Sequence, residues 1–181
     1  SLIMANDLIA TKIDDIQKEA DTINPDYLIV DTPGQIELFA YRQSGPFFVN
    51  EFVAEEKMSL FLFDGTMVSS PSNFVSLTLL STSIRLRLGL PTVNVITKTD
   101  LIQEKLEKVL SWSGTDSQLE ADLAGELNGD TFSLVSDMLS SLNRHDFQQD
   151  LIPVSNLTGD GMVSLQSALS RTINLGEELE D

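Results

Sequence analysis

The chain has 181 residues, 41% of them hydrophobic and 22% charged, which is ordinary for one globular domain with a sizeable core. Its formal net charge of −17 disfavours general binding to nucleic acid, because the phosphates would be repelled. The absence of cysteine and the single histidine exclude a thiol nucleophile, a cysteine-based zinc site and disulfides. Since no apolar run reaches about 18 residues and no signal pattern is visible, we predict a cytoplasmic protein without membrane contact.

The first third of the chain predicts three helices and one strand. Apolar residues recur at helical spacing near the N-terminus. A short apolar run then ends at an aspartate, as in a buried strand, and Thr-Pro-Gly turns the chain. The predicted elements are a helix over 2–20, a strand over 27–31, a helix over 35–43 and, after an interruption at 45–46, a helix over 47–53.

The second half alternates strands with helices. The predicted strands cover 58–64, 92–97 and 151–155, and the predicted helices cover 71–88, 101–110, 113–128, 130–142 and 162–173. Apolar strands separated by helices predict an α/β fold whose mainly parallel sheet has helices on both faces. In such sheets ligands bind at the carboxyl ends of the strands. An acidic tail is predicted over 176–181.

The first strand-end motif is Asp31-Thr32-Pro33-Gly34, followed by Gln35. P-loop NTPases use an acid at a strand end, followed by a glycine whose N–H faces the ligand, to hold magnesium and sense a terminal phosphate. An ordinary strand-to-loop junction can show the same letters, and the motif alone does not decide between the two.

The second motif, Thr97-Lys98-Thr99-Asp100, follows the 92–97 strand. A carboxylate there can accept two parallel hydrogen bonds from guanine N1–H and its exocyclic amine, whereas adenine offers the opposite pattern. The lysine stem can lie flat on the base. The alternative is a simple helix cap in which Asp100 is favoured by the helix dipole.

The third motif is Ser155-Asn156, after the last strand. A small residue there would let backbone N–H groups approach a purine carbonyl oxygen, although an ordinary glycine-containing loop is the alternative. The three motifs occur in one order, and each follows a strand. Chance agreement of all three is therefore improbable.

With these motifs the chain resembles the GTPase superfamily, and more narrowly the GPN-loop GTPases of the signal-recognition and MinD-like branch. The narrower resemblance rests on three stretches: DTPGQIELF over 31–39, GPFF over 45–48 and RLRLGLP over 85–91. It extends over about residues 1–175, with residues 113–145 as a helical insertion.

The resemblance implies GTP/GDP and Mg²⁺ as cofactors, and roles for the site residues. Asp31 would hold Mg²⁺ through a water, with Thr32, Pro33 and Gly34 as the phosphate and switch element. Gln35 or Glu37 would orient the attacking water. The guanine-binding residues would be Thr97, Lys98, Asp100, Ser155 and Asn156. The family further implies a homodimer that completes its sites, and a protein client such as an RNA polymerase assembly.

Two departures from the family pattern shape the expectation. Thr97 stands where the family's guanine motif usually has asparagine. No G-x-x-x-x-G-K-[ST] and no Gly-Pro-Asn occurs in the 181 residues. We therefore expect the C-terminal part of such a GTPase, without the P-loop strand, and weak or no GTP binding by this chain alone. Two other functions stay open: a non-enzymatic interaction or assembly module that keeps the fold, and an ATP-using relative of the MinD type.

Overall fold

The computed structural model describes residues 2–32, 34–68, 70–113, 118–144 and 151–177. The chain divides into two compact units, residues 1–57 with 84–90 and residues 58–83 with 91–181. Among the described residues, no helix combines the length and the hydrophobicity of a membrane span.

Three helices build the first unit: α1 Leu2–Ile23, α2 Ile36–Ala40 and α3 Ser44–Glu51. Its core joins Ile13 to Phe39, Phe48 and Phe52. The Phe48 and Phe52 rings stack with centroids 5.3 Å apart. These side chains hold the long α1 and the two short helices together, and the predicted helix over 2–20 is confirmed.

The predicted interruption at Gly45-Pro46 is wrong, because both residues lie in the first turn of α3. Proline is tolerated there since its missing N–H would have no helical acceptor. A Cβ on Gly45 would stand 2.1 Å from the Phe39 carbonyl oxygen, so this position requires glycine. The break between α2 and α3 falls at residues 41–43 instead.

The predicted strand over 27–31 is also wrong. Residues 27–32 form no regular structure, and the side chains of Tyr27, Leu28, Ile29 and Val30 are exposed, Ile29 to 90%. A strand is stable only when a neighbour pairs its backbone groups. The strand pairs of the described residues lie elsewhere in the chain, so this apolar run has no strand beside it.

The second unit contains a parallel sheet of β1 Ser59–Asp64, β2 Thr92–Thr97 and β3 Leu151–Pro153. The strands lie in sequence order, and the register places Asp64 beside Thr97 and Ile96 beside Pro153. All three strands were predicted within one or two residues. Because the sheet is parallel, their carboxyl ends meet at one edge.

Helices cover both faces of β2. On one face Val93 and Val95 pack with Val154 and with Ala168 of α8 (Met162–Glu177). On the other face the Ser81 hydroxyl of α4 (Pro71–Leu88) contacts Asn94 Oδ1 at 2.6 Å. The predicted α/β layering is confirmed, as is the end of α4 at Gly89, whose φ is +68°.

Between β2 and β3 lie a 3₁₀ turn over Thr99–Leu101 and the helices α5 Gln103–Ser111, α6 Leu119–Ala124 and α7 Gly129–Arg144. The predicted helix over 113–128 is shorter than expected, and residues 114–117 and 145–150 lie outside the described part. The last helix continues through Glu177. The first two residues of the predicted acidic tail thus lie in this helix, and residues 178–181 lie outside the described residues.

Candidate functional site

A hydrogen bond joins the two loops that follow β2 and β3. The hydroxyl of Ser155 donates to Asp100 Oδ1 at 2.6 Å, and the Thr99 N–H donates to the Val154 carbonyl oxygen at 3.4 Å. Ser155 is only 1% exposed. The buried serine thus fixes one carboxylate oxygen of Asp100 at the carboxyl edge of the sheet.

The 155–161 loop holds Ser155 in place with its own backbone. The N–H of Ser155 donates to the Asp160 carbonyl oxygen at 3.0 Å, and its carbonyl accepts from the Gly159 N–H at 2.9 Å. The Thr158 N–H also donates to the Ser155 hydroxyl oxygen at 3.2 Å. Gly161 needs its φ of +79°, and a Cβ there would stand 1.8 Å from the Pro153 carbonyl oxygen. These hydrogen bonds therefore hold the loop in one conformation, and this conformation requires glycine at position 161.

An ion pair links the ends of β1 and β2. Lys98 Nζ donates to Asp64 Oδ2 at 2.6 Å, and Asp64 Oδ1 accepts from the Thr66 N–H at 2.9 Å and the Thr66 hydroxyl at 2.7 Å. The hydrogen bond from Lys98, helped by those from Thr66, lowers the pKa of Asp64 to about 2. Asp64 is therefore a carboxylate throughout the physiological pH range.

The same two strand ends are joined through their backbone. The Gly65 N–H donates to the Thr97 carbonyl oxygen at 3.0 Å, and a Cβ on Gly65 would stand 2.6 Å from that oxygen. The Thr97 hydroxyl donates to the Phe63 carbonyl oxygen at 3.2 Å. Thr97 therefore ties β2 to β1, and Lys98 follows in the left-handed region at φ +56°.

A cavity of about 190 Å³ opens beside Asp100. Its walls come from the loop after β2, the start of α5, the loop after β3 and the start of α8, namely Thr99, Asp100, Gln103, Leu106, Pro153, Asp160, Gly161 and Ser164. A groove with an oriented carboxylate on its wall can accept hydrogen bonds from a ligand.

The structure thus brings together two of the residues predicted to bind guanine, Asp100 and Ser155, whereas the side chain of Lys98 contacts Asp64 and is not among those that line the cavity. Thr97 contacts β1 instead of facing the cavity loop, and Asn156 is exposed. Sequence reasoning gave no role to Asp64, although it is the acid at the end of the predicted strand over 58–64. The contact with Lys98 could not be read from residues so far apart in the chain.

The predicted phosphate element lies in the first unit. Asp31, Gly34 and Gln35 are exposed and Thr32 is half-buried, whereas Pro33 lies outside the described residues. Gln35 immediately precedes α2, which contains Glu37. Nothing lies within 4 Å of a Cβ built on Gly34. Packing in this conformation therefore gives no reason for a glycine at this position.

The described residues contain no cluster of three acidic or histidine side chains that could hold a metal ion. Asp31 offers a single carboxylate. Magnesium is commonly bound in this way, by one or two carboxylates together with waters and substrate phosphates. Asp31 is therefore compatible with Mg²⁺ that arrives with a nucleotide, and the described residues build no separate metal centre.

A family model described as a conserved hypothetical ATP-binding protein matches residues 1–175. GPN-loop GTPase 1 of Saccharomyces cerevisiae is 28% identical over 96% of this chain. GPN-loop GTPase QQT2 of Arabidopsis thaliana is 32% identical over 89%, and GPN-loop GTPase 3 of Dictyostelium discoideum is 26% identical over 99%. The chain belongs to the GPN-loop GTPase family. It spans 48%, 42% and 64% of these three relatives, about half of their length.

The crystal structure of a GTPase from Pyrococcus abyssi in its apo form matches 94% of this chain with a TM-score of 0.78 and 21% sequence identity. The match covers 68% of that protein. This likeness confirms the predicted α/β fold of the P-loop NTPase type.

Proposed function

We propose that this GPN-loop protein, in its natural full-length form, binds and hydrolyses GTP as a molecular switch. The observation that carries the proposal is the 2.6 Å hydrogen bond from the buried Ser155 hydroxyl to Asp100. It orients a carboxylate on the wall of a cavity at the carboxyl edge of a parallel sheet, where such folds bind ligands. The GTPase names of the relatives support the same class of activity.

Guanine is distinguished from adenine by the hydrogen-bond donors on its edge. Asp100 accepts from guanine N1–H and the exocyclic amine, and a carboxylate cannot pair with the corresponding edge of adenine. The stem of Lys98 covers the ring. Because the Ser155 N–H already donates to Asp160, the contact to the guanine carbonyl oxygen is assigned to the N–H of Asn156.

The segment over residues 31–35 contacts the phosphates. The Gly34 N–H approaches the γ-phosphate, and the open space around Gly34 supports this assignment. Gln35 or Glu37 orients the attacking water. Asp31 would hold Mg²⁺ that arrives with the nucleotide, and the bound ion would supply charge stabilisation to the transferred phosphoryl group.

Most phosphate affinity in P-loop enzymes comes from the P-loop backbone and its lysine. No such motif occurs in these 181 residues. The chain by itself is therefore expected to bind GTP weakly or not at all. A titration with fluorescent GTP checks this, and micromolar affinity would overturn it.

The deciding experiment uses the natural full-length protein. Fluorescent GDP is bound, displaced with unlabelled GTP or ATP, and phosphate release is followed with each triphosphate. The proposal expects displacement and turnover with GTP at concentrations where ATP does neither, despite the ATP in the family model's description. Equal use of ATP favours the MinD-type alternative. Absence of any nucleotide binding favours a non-enzymatic assembly module.

We further propose a homodimer and a role in assembling a protein complex such as an RNA polymerase. Both parts of this proposal rest on the resemblance to the GPN-loop GTPases. Light scattering coupled to gel filtration of the full-length protein, with and without nucleotide, tests the dimer. A monomer under both conditions would contradict it.

A further inference from the structure

An ion pair with Asp64, which is not among the predicted base contacts, controls the position of Lys98. Its ammonium contacts Asp64 Oδ2 at 2.6 Å, across the ends of two neighbouring strands. The Lys98 side chain is 57% exposed and that of Asp64 is 28% exposed. This ion pair therefore sets the direction of an otherwise exposed lysine side chain.

The backbone conformation of Lys98 links this ion pair to the position of Asp100. Lys98 has φ +56° and ψ +37°, a left-handed conformation that is unfavourable for a side chain with a Cβ. Its carbonyl accepts from the Leu101 N–H at 3.0 Å, which fixes the start of the 3₁₀ turn carrying Asp100. The backbone conformation of Lys98 and the placement of Asp100 are therefore coupled.

Asp64 is itself held rigidly. The Thr66 N–H and hydroxyl both donate to Oδ1, which leaves Oδ2 facing Lys98. The neighbouring Gly65 is anchored to the Thr97 carbonyl oxygen at 3.0 Å. The two oxygens of Asp64 thus have separate partners, one in its own turn and one in the loop after β2.

From this geometry we infer that Asp64 is a positioning residue that holds the Lys98 stem over the guanine base. This inference rests on the proposed function, because it concerns the same base site. Asp64 makes no contact with the base in this role. It acts through Lys98, so its effect must disappear when the lysine ammonium is absent.

The test measures the dissociation constant of fluorescent GDP for the natural full-length protein and four variants. Asp64→Asn keeps an oxygen for Thr66 but removes the acceptor for Lys98. Lys98→Met keeps the stem without the ammonium, and the third variant combines the two. Thr66→Val is the matched control, because it removes one hydrogen bond to Asp64 and leaves the ion pair.

Asp64→Asn should raise the dissociation constant about fivefold, as expected for a partly exposed ion pair. In the Lys98→Met background the same change should have no further effect, and Thr66→Val should stay within about twofold of the wild type. An equal loss in both backgrounds, or a loss from Thr66→Val as large as from Asp64→Asn, would show a structural role and overturn the inference.

The outcomes separate this inference from the function on which it rests. A wild-type protein that binds no GDP refutes the proposed function and the inference with it. Binding that is unchanged by Asp64→Asn refutes the inference alone and leaves the GTPase proposal standing.

Discussion

The Ser155 hydroxyl donates a hydrogen bond to Asp100 Oδ1, with 2.6 Å between the two oxygens, and thereby connects the loops after two neighbouring strands. The serine is buried, and its hydroxyl oxygen also accepts from the Thr158 N–H at 3.2 Å. A hydrogen bond to a charged group is worth about 1.5–3 kcal/mol. This contact is therefore strong enough to decide how the Asp100 carboxylate faces the cavity.

Replacing Ser155 with alanine should weaken GDP binding to the full-length protein about tenfold, because Asp100 loses its orienting donor. Ser167→Ala is a matched control, since that hydroxyl bonds only within α8 at 2.9 Å to the Val163 carbonyl oxygen. It should leave binding unchanged. Equal dissociation constants for Ser155→Ala and wild type would show that the serine does not orient Asp100.

Replacement by alanine should lower the free energy of unfolding at Gly161 but leave it almost unchanged at Gly34. A Cβ on Gly161 would clash with the Pro153 carbonyl oxygen at 1.8 Å, whereas nothing lies within 4 Å of a Cβ on Gly34. Gly161→Ala should lower the free energy of unfolding by about 2 kcal/mol or more. Gly34→Ala should change it by less than about 0.5 kcal/mol, yet reduce GTP hydrolysis by the full-length protein.

Urea denaturation of both variants, with a phosphate-release assay, checks this pair. A large loss of stability from Gly34→Ala would show that the glycine is required for folding. Full hydrolysis activity in the same variant would contradict its assignment to the γ-phosphate.

Asp64 should contribute stability that disappears in acid. Its pKa falls from 3.8 to about 2 in the folded protein, so its contribution is complete above pH 3.8 and is lost as the pH falls towards 2. The pair is partly exposed, which limits the contribution to about 1 kcal/mol. The gap in unfolding free energy between wild type and Asp64→Asn should shrink by roughly half between pH 6 and pH 3. A constant gap over this range would contradict the prediction.

Trp112 connects the helices that follow β2. It is 2% exposed, lies 5.6 Å from the Phe74 ring and donates Nε1–H to Asp122 at 2.8 Å. Together with Lys108, this hydrogen bond lowers the pKa of Asp122. Trp112→Phe keeps an aromatic ring but removes part of a buried side chain together with the donor to Asp122, so it should cost about 1–3 kcal/mol of stability.

Circular dichroism during urea denaturation measures that cost without relying on tryptophan fluorescence. Ser133→Ala, on the exposed side of α7, is the control and should stay within about 0.5 kcal/mol of the wild type. Wild-type stability for Trp112→Phe would contradict the assignment of Trp112 as the residue that connects these helices.

The elements that could be predicted from sequence are those with strong local signals. The apolar β2 strand and the Pro71 start and Gly89 stop of α4 lie where the pattern placed them. The contact between Asp100 and Ser155 followed from the parallel sheet, because such sheets gather their strand ends at one edge.

The incorrect and missing predictions concern contacts between residues that are distant in the chain, which a local sequence pattern does not contain. The run from Tyr27 to Val30 has the composition of a strand, yet strand formation also requires a pairing neighbour. Gly45 looked like a break because its close approach to the Phe39 carbonyl oxygen is a tertiary contact. The partner of Asp64 is 34 residues away in the chain, and only the register of β1 on β2 brings the two together.

The most direct test of the account is the base preference of Asp100→Asn in the full-length protein. An asparagine offers one acceptor and one donor, which matches the N1–H and 2-oxo group of xanthine instead of the two donors of guanine. We expect this variant to lose affinity for GDP and to gain affinity for xanthosine diphosphate, measured by competition against a fluorescent nucleotide. Unchanged preference for GDP in Asp100→Asn would contradict the assignment of Asp100 as the residue that reads guanine.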